Sequence, residues 1–376
     1  PVKIVFGKGT IAQLRELVPP GKKVMVTYGG GSIKQNGVYD QVMAALEGHA
    51  VTPFGGIEPN PRYETLMKAV ALARAEGTDF LLAVGGGSVV DGTKFIAAAI
   101  QYEGEDPWDI PAKGAKVAGA VPMGVVLTLP ATGSEMNPTG VISRESTREK
   151  LAFASPHCYP RFSILDPETT CSLPPRQVAN GIVDTFVHTT EQYLTYDLNT
   201  PLQDRTSEAI LATVIEQAPL VRADPRDYEV RANLMWSATQ ALNGLIACGV
   251  AQDWATHMIG HELTARFGLD HGQTLAIVLP GLLRHQRDAK LGKLVQYGRR
   301  VWGIQGLTDE ETAEQAIVRT EAFFREVGVP TRLADYGLTP ADCQPIVERL
   351  AQREVKLGEH GAITAKETGE ILALCA

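Results

Sequence analysis

The stretch DFLLAVGGGSVVDGTKFIAAAI, residues 79–100, constrains this chain more than any other. A short, continuous apolar run stops at three glycines, and a helical pattern follows at once. The same order recurs nearby: KKVMVTYGGG precedes NGVYDQVMAALEG, and VPMGVVLTLP and FSILDP supply further strand-like runs. Strands alternating with helices predict a parallel α/β sheet, with crossover connections between neighbouring strands.

After CSLPPRQVANG the texture changes. Strand-like runs give way to long amphipathic patterns such as YEVRANLMWSATQALNGLIA and TAEQAIVRTEAFFREVG, which predict an all-helical region. A chain of 376 residues exceeds what one core usually serves. The double proline Pro174–Pro175 marks the hinge. The expected organisation is an α/β domain over residues 1–171 and an all-helical domain over residues 172–376. No internal repeat is present.

The turn VGGGSVVD (84–91) sits where a phosphate cradle belongs, after a strand and at the start of a helix. Gly85, Gly86 and Gly87 let backbone N–H groups approach a pyrophosphate, and the helix N-terminus adds partial positive charge. Ser88 and Asp91 have the spacing of a capping box, so a plain, well-capped βα turn explains the same residues equally well. It is not the GxGxxG pattern. A second turn, TYGGGSIK (27–34), offers Gly29, Gly30, Gly31, Ser32 and Lys34 but no acid. A carboxylate near such a strand end binds the ribose hydroxyls of NAD, and its absence suits a 2′-phosphate. That points towards NADP(H), with a solvated surface turn as the bland alternative.

Three of the eight histidines fall close together in HMIGHELTARFGLDHG: His257, His261 and His271. Asp184 and His188 are four apart in a helical stretch, as are His257 and His261, so each pair shares a helix face. On one straight helix, His257 and His271 would lie roughly 21 Å apart, too far to share an ion. Gly268 supplies the break, as a residue suited to the left-handed conformation that ends a helix. The spacing permits a metal site built from Asp184, His188 and two of the three later histidines. It leaves open which of His257 and His261 ligates, and whether the histidines merely line a helical core. A donor set of imidazole and carboxylate suits Zn²⁺ or Fe²⁺.

Composition narrows the functional classes. The net charge of −8 argues against a general binder of nucleic acid or acidic membrane, since either needs a basic face. Five cysteines without a CxxC pair suggest a reducing compartment and no thiolate zinc site. Neither a signal peptide nor a membrane-spanning run is visible, so the expected setting is cytoplasmic, and Pro1 reads as a trimmed or processed terminus.

Taken together, GGGSVVD, ATGSEMNP, the Asp184–His188 pair and HMIGHELTARFGLDHG resemble the iron-containing (group III) alcohol dehydrogenases. FGGIEPNP, LPPRQVANG and QDWATHMIGHELT extend the likeness to the branch of NADPH-dependent aldehyde reductases and butanol dehydrogenases. The resemblance covers nearly the whole chain. It implies a Rossmann-like NADP-binding domain followed by an all-α domain, the architecture shared with dehydroquinate synthase, with the cofactor in the cleft between the two. It also implies a homodimer, one Fe²⁺ or Zn²⁺ ion, and reversible reduction of aldehydes to alcohols. Carried over by position, the metal ligands fall on Asp184, His188, His257 and His271, and His261 becomes a proton-relay residue. The pyrophosphate loop falls on Gly86, Gly87 and Ser88 with Asp91 nearby. Thr128, Thr132 and Asn137 match positions lining the nicotinamide half, Lys150 a cofactor-contacting lysine, and Asn60 a position near the adenosine end. Tyr28-Gly29-Gly30 stands where the NAD-preferring branch carries an aspartate after the strand's threonine, in keeping with Ser32 as a 2′-phosphate partner. Two other readings compete with this one: a metal-dependent lyase of the dehydroquinate synthase kind, and a non-enzymatic sensor of nucleotide and metal. The first needs basic side chains around the metal, where this sequence places Phe186, Trp254, Met258 and Phe267. The second needs no conjunction of nicotinamide-lining threonines with a metal site.

Overall fold

The computed structural model describes residues 2–376, and the processed terminus read at Pro1 lies outside the described residues. The described residues form eight strands: β1 (Lys3–Phe6), β2 (Lys23–Tyr28), β3 (Ala50–Phe54), β4 (Phe80–Gly86), β5 (Met123–Leu129), β6 (Thr139–Arg144), β7 (Glu149–Ala154) and β8 (Phe162–Leu165). Six of them make one sheet in the order β1-β8-β5-β4-β2-β3. Every pair in it is parallel. The central strands β4 and β5 are buried along almost their whole length, which explains their continuous apolar runs.

β6 and β7 form a separate antiparallel hairpin that the sequence reading passes over. Its strands are half-buried, and its turn uses Arg148 at φ 50 where a glycine would have signalled the bend.

Helix α1 (Gly87–Ile100) follows β4 directly and is buried on nearly every side. Val90, Phe95 and Ile96 pack with Val125, Leu127 and Ile142 in one apolar cluster. The glycines before it are packing requirements. A β-carbon would lie 2.6 Å from Val89 at Gly85, 2.8 Å from Leu129 at Gly86 and 2.4 Å from Thr132 at Gly87. The capping box expected of Ser88 and Asp91 does not form. The helix starts at Gly87 with Gly86 as its cap, so Ser88 is already inside the first turn.

Two compact units divide the chain, residues 1–173 with 225–239, and residues 174–224 with 240–376. The second unit contains helix α2 (Pro175–Tyr193) and the long helix Pro201–Ala223. Helix α3 (Tyr228–Ala241) groups for most of its length with the first unit, although it follows the α/β region by some fifty residues. There Met235 joins the sheet's apolar cluster, Trp236 meets Phe6 edge-on at 5.9 Å, and Thr239 Oγ1 donates to Glu135 Oε1 at 2.6 Å. The second unit continues through α4 (Ala255–Phe267), α5 (His271–His285) and further helices to Ala365–Leu374. Its described residues hold no strand beyond the bridge between Leu357 and Ile363. No described helix is long and apolar enough to cross a membrane.

Candidate metal centre and cofactor-binding residues

Helix α2 carries Asp184, His188 and Glu191 at i, i+4 and i+7, along one buried face. Helix α4 starts after Trp254, itself left-handed at φ 63, and carries His257 and His261 one turn apart. It ends at Phe267 because Gly268 adopts φ 71, the break anticipated from the sequence. Asp270 then caps α5, whose first residue is His271. Two glycines let these helices close on one another. A β-carbon would stand 2.9 Å from Thr274 Oγ1 at Gly260 and 2.7 Å from the Asn180 carbonyl oxygen at Gly272. Asn180 Nδ2 also donates to Asp270 Oδ2 at 2.9 Å, which fixes the start of α5 against α2.

The outcome is a convergence on one atom. Asp184 Oδ1 lies 3.3 Å from His188 Nδ1, 3.6 Å from His257 Nε2 and 3.5 Å from His271 Nε2. Ligand atoms of Asp184, His188 and His257 all fall within 4.8 Å of one another. The rings of His188 and His257 stack at 4.5 Å, and those of His257 and His271 are 5.2 Å apart. His261 flanks the group, its ring 5.5 Å from His271 and 6.3 Å from His257. The three Asp184–histidine separations suit a tetrahedral ion: ligands about 2.0–2.1 Å from a zinc-sized centre stand about 3.3–3.4 Å from each other. The donors, one carboxylate and three imidazoles, fit a borderline divalent metal. The side chains of Asp184, His188 and His257 are at most 8% exposed, whereas that of His271 is 22% exposed. The cluster therefore opens on the His271 side.

Glu191 is a residue the sequence reading missed. Its carboxylate accepts the Thr256 N–H at 2.6 Å and the His257 N–H at 3.3 Å, and it contacts His257 Nδ1. Burial works against charge on His257, but Glu191 and then Asp184 more than offset it and hold the imidazole at about 9. The i+7 spacing from Asp184 was the available signal.

The cofactor candidates fall in the first unit. Asn60, left-handed at φ 56, donates its N–H to Ser88 Oγ at 3.2 Å and accepts from Lys150 Nζ at 2.8 Å. Three candidates from distant stretches thus meet beside the turn Gly86-Gly87. Asp91 is built into a buried network: Ser134 Oγ donates to Oδ1 at 2.5 Å and the Val141 N–H to Oδ2 at 3.0 Å. Lys94, also missed, donates to Ser134 Oγ at 2.7 Å, Asn137 Oδ1 at 3.1 Å and the Thr139 carbonyl at 2.7 Å. Burial lowers its pKa to about 8 and raises that of Asp91. The Asn137 amide donates to the Gly133 carbonyl at 2.9 Å, and Thr132 Oγ1 accepts the Ser134 N–H at 3.2 Å. Asp91 and Asn137 thereby shape the loop that presents Thr132. Thr128 lies buried on β5.

Gly30 precedes the short helix Ser32–Gln35, and Gly31 takes φ 99 as its cap. Ser32 lines a polar cavity of about 460 Å³ together with Gln35, Asn36, Ser172 and Arg226. Lys34 is not simply solvated, since its ammonium sits 5.0 Å from the ring centres of both Tyr28 and Tyr39.

Residues 1–167 match the model of the iron-containing alcohol dehydrogenases, and residues 178–375 match the C-terminal model of the same family. The chain belongs to the iron-containing alcohol dehydrogenase family. Among its relatives in that family is the NADPH-dependent aldehyde reductase YqhD of Escherichia coli, 58% identical over 97% of this chain and 95% of the relative. A probable NADH-dependent butanol dehydrogenase of Bacillus subtilis is 44% identical over 100% of this chain and 97% of its own. The fold superposes on a crystal structure of E. coli K-12 YqhD with a TM-score of 0.98, at 55% identity, covering 100% of this chain and 97% of the other.

Proposed function

We propose that this iron-containing alcohol dehydrogenase reduces aldehydes to primary alcohols with NADPH, reversibly, using one bound Fe²⁺ or Zn²⁺ ion. The observation that carries the reading is the approach of three histidine nitrogens to the single oxygen Asp184 Oδ1. Asp184, His188, His257 and His271 would hold the ion, which supplies Lewis acidity towards a carbonyl oxygen, while NADPH supplies the hydride.

The chain's own residues do the rest. His261, beside His271 on the accessible side of the cluster, hands a proton to the product oxygen. Gly86, Gly87 and Ser88 hold the pyrophosphate at the start of α1, with Asn60 and Lys150 fixed against them. Thr128 and Thr132 face the nicotinamide half, and the Asp91–Lys94 network holds the Thr132 loop in place. Ser32 takes the 2′-phosphate, and Gly30 leaves the adjoining space free of a carboxylate. The same reading includes a homodimer in the cytoplasm, which sedimentation and cell fractionation test. Trp254 and Glu191, which adjoin the cluster, bring to it an apolar ring and a carboxylate, not the basic side chains that the anionic substrate of a lyase would need.

The test is oxidation of NADPH by butanal, followed before and after removal and restoration of Zn²⁺ or Fe²⁺. Turnover that requires the metal and exceeds that with NADH supports the reading. Absence of turnover over a panel of aldehydes with the metal restored would overturn it.

A further inference from the structure

The contact between Glu191 and His257 gives a task to a residue outside the ligand set. It rests on the reading of Asp184, His188, His257 and His271 as that set. Glu191 Oε1 accepts the Thr256 N–H at 2.6 Å, and Oε2 accepts the His257 N–H at 3.3 Å while also contacting His257 Nδ1. The Glu191 carbonyl accepts the Asp253 N–H at 2.9 Å. Asp253 is held in turn by the buried ammonium of Lys290 at 2.8 Å, which also meets Glu359 at 2.6 Å and the Leu194 carbonyl at 2.8 Å. One residue of α2 thus fixes both the start of α4 and the ring that α4 presents.

An ionised carboxylate only accepts hydrogen bonds, so the Nδ1 that faces Glu191 carries the imidazole proton. Once the second imidazole proton is lost, as metal ligation requires, the lone pair is on Nε2, the nitrogen 3.6 Å from Asp184 Oδ1. We propose that Glu191 is a positioning residue that selects the Nδ1–H tautomer of His257 and aims its Nε2 lone pair at the metal.

Capping of α4 alone would make a different prediction for Glu191→Gln. The carboxylate faces donors at both oxygens, whereas an amide has one oxygen and one NH₂. If the NH₂ faces His257, Nδ1 must accept, and the proton moves to Nε2, where it blocks coordination. If the oxygen faces His257, the NH₂ confronts the Thr256 N–H.

The experiment loads the full chain with Zn²⁺ and measures the chelator concentration that strips half of it. Glu191→Gln should hold Zn²⁺ about 10–100-fold more weakly, with the unfolding temperature of the metal-stripped protein close to that of the unmodified chain. Glu191→Ala should lose affinity too and regain part of it with added formate, which returns a carboxylate to the vacated space. A measurement on the unmodified protein needs no variant to fold: ¹⁵N resonances of labelled histidines in the zinc-loaded chain should report His257 as Nδ1–H. Equal Zn²⁺ affinity in Glu191→Gln, or an Nε2–H tautomer at His257, overturns the proposal. Failure of the unmodified chain to bind Zn²⁺ overturns the ligand set itself, and the proposal with it.

Discussion

The Asp184 cluster of the second unit and the Asp91–Lys94 network of the first are both buried, charged constellations, yet they are built in opposite ways. Lys94 directs its three protons to three acceptors, and Asp91 accepts from a hydroxyl and a backbone N–H. Each charge has a partner of opposite character, and the network closes on itself. Around Asp184 three imidazoles crowd one carboxylate oxygen at separations between 3.3 and 3.6 Å. That geometry suits a cation that all four can ligate. A closed network orders a loop, whereas a convergent one binds.

Breaking the convergent side should have the largest effect. His257→Ala should lose the bound metal and reduce aldehyde reduction to background, because the remaining ligands no longer hold the ion in a working geometry. Metal analysis with an NADPH assay decides it, and full activity at unchanged metal content would remove His257 from the set. His261→Ala should keep its metal and lose on the order of 10²-fold in kcat, the usual worth of a general acid. Loss of metal in this variant would show that the two histidines had been assigned the wrong way round.

Lys94 tests the closed side. Burial sets its folded pKa at about 8, below the ordinary 10.5. The unfolded chain therefore binds more protons between these values. Stability should rise by up to about 3 kcal/mol as pH climbs from 8 towards 10.5, be lost again as pH falls back through that window, and be level with respect to Lys94 below 8. In Lys94→Met that rise should flatten, with aldehyde reduction impaired far less than in His257→Ala. Urea midpoints of both proteins at pH 8 and pH 10 give the comparison, and an equal rise in both would show that Lys94 does not lose its proton in this window.

The smallest effect concerns the cofactor. The unmodified enzyme should favour NADPH over NADH about tenfold or more in kcat/KM, which corresponds to at least ~1.4 kcal/mol from the phosphate. A β-carbon at Gly30 meets nothing within 4 Å, so Gly30→Asp tests charge without a steric clash. It should erode the preference, mainly by weakening NADPH. Equal efficiency with both cofactors in the unmodified chain would sink the assignment of Ser32.

What the sequence could declare follows from local periodicity and turn chemistry. Continuous apolar runs and glycine turns announced the parallel sheet, because a strand buried on both faces has no polar side to alternate with. Helical spacing paired Asp184 with His188 and His257 with His261, and Gly268 marked where the helix had to end. What the sequence left open depended on partners distant along the chain. Only the closure of α5 on α2, through Gly272 against Asn180, and of α4 on α5, through Gly260 against Thr274, brought His271 and His257 to Asp184 and left His261 at the side. Lys94 reads as a solvated helix residue until three acceptors from residues 134–139 surround it. Helix α3 looked like part of a helical domain, since an amphipathic pattern reports that one face is buried but not what buries it; Met235 against the sheet supplied that answer. Glu191 shows the same limit most sharply. Its i+7 spacing put it on the face of Asp184 and His188, but its task came from the imidazole and backbone N–H groups that another helix placed against it.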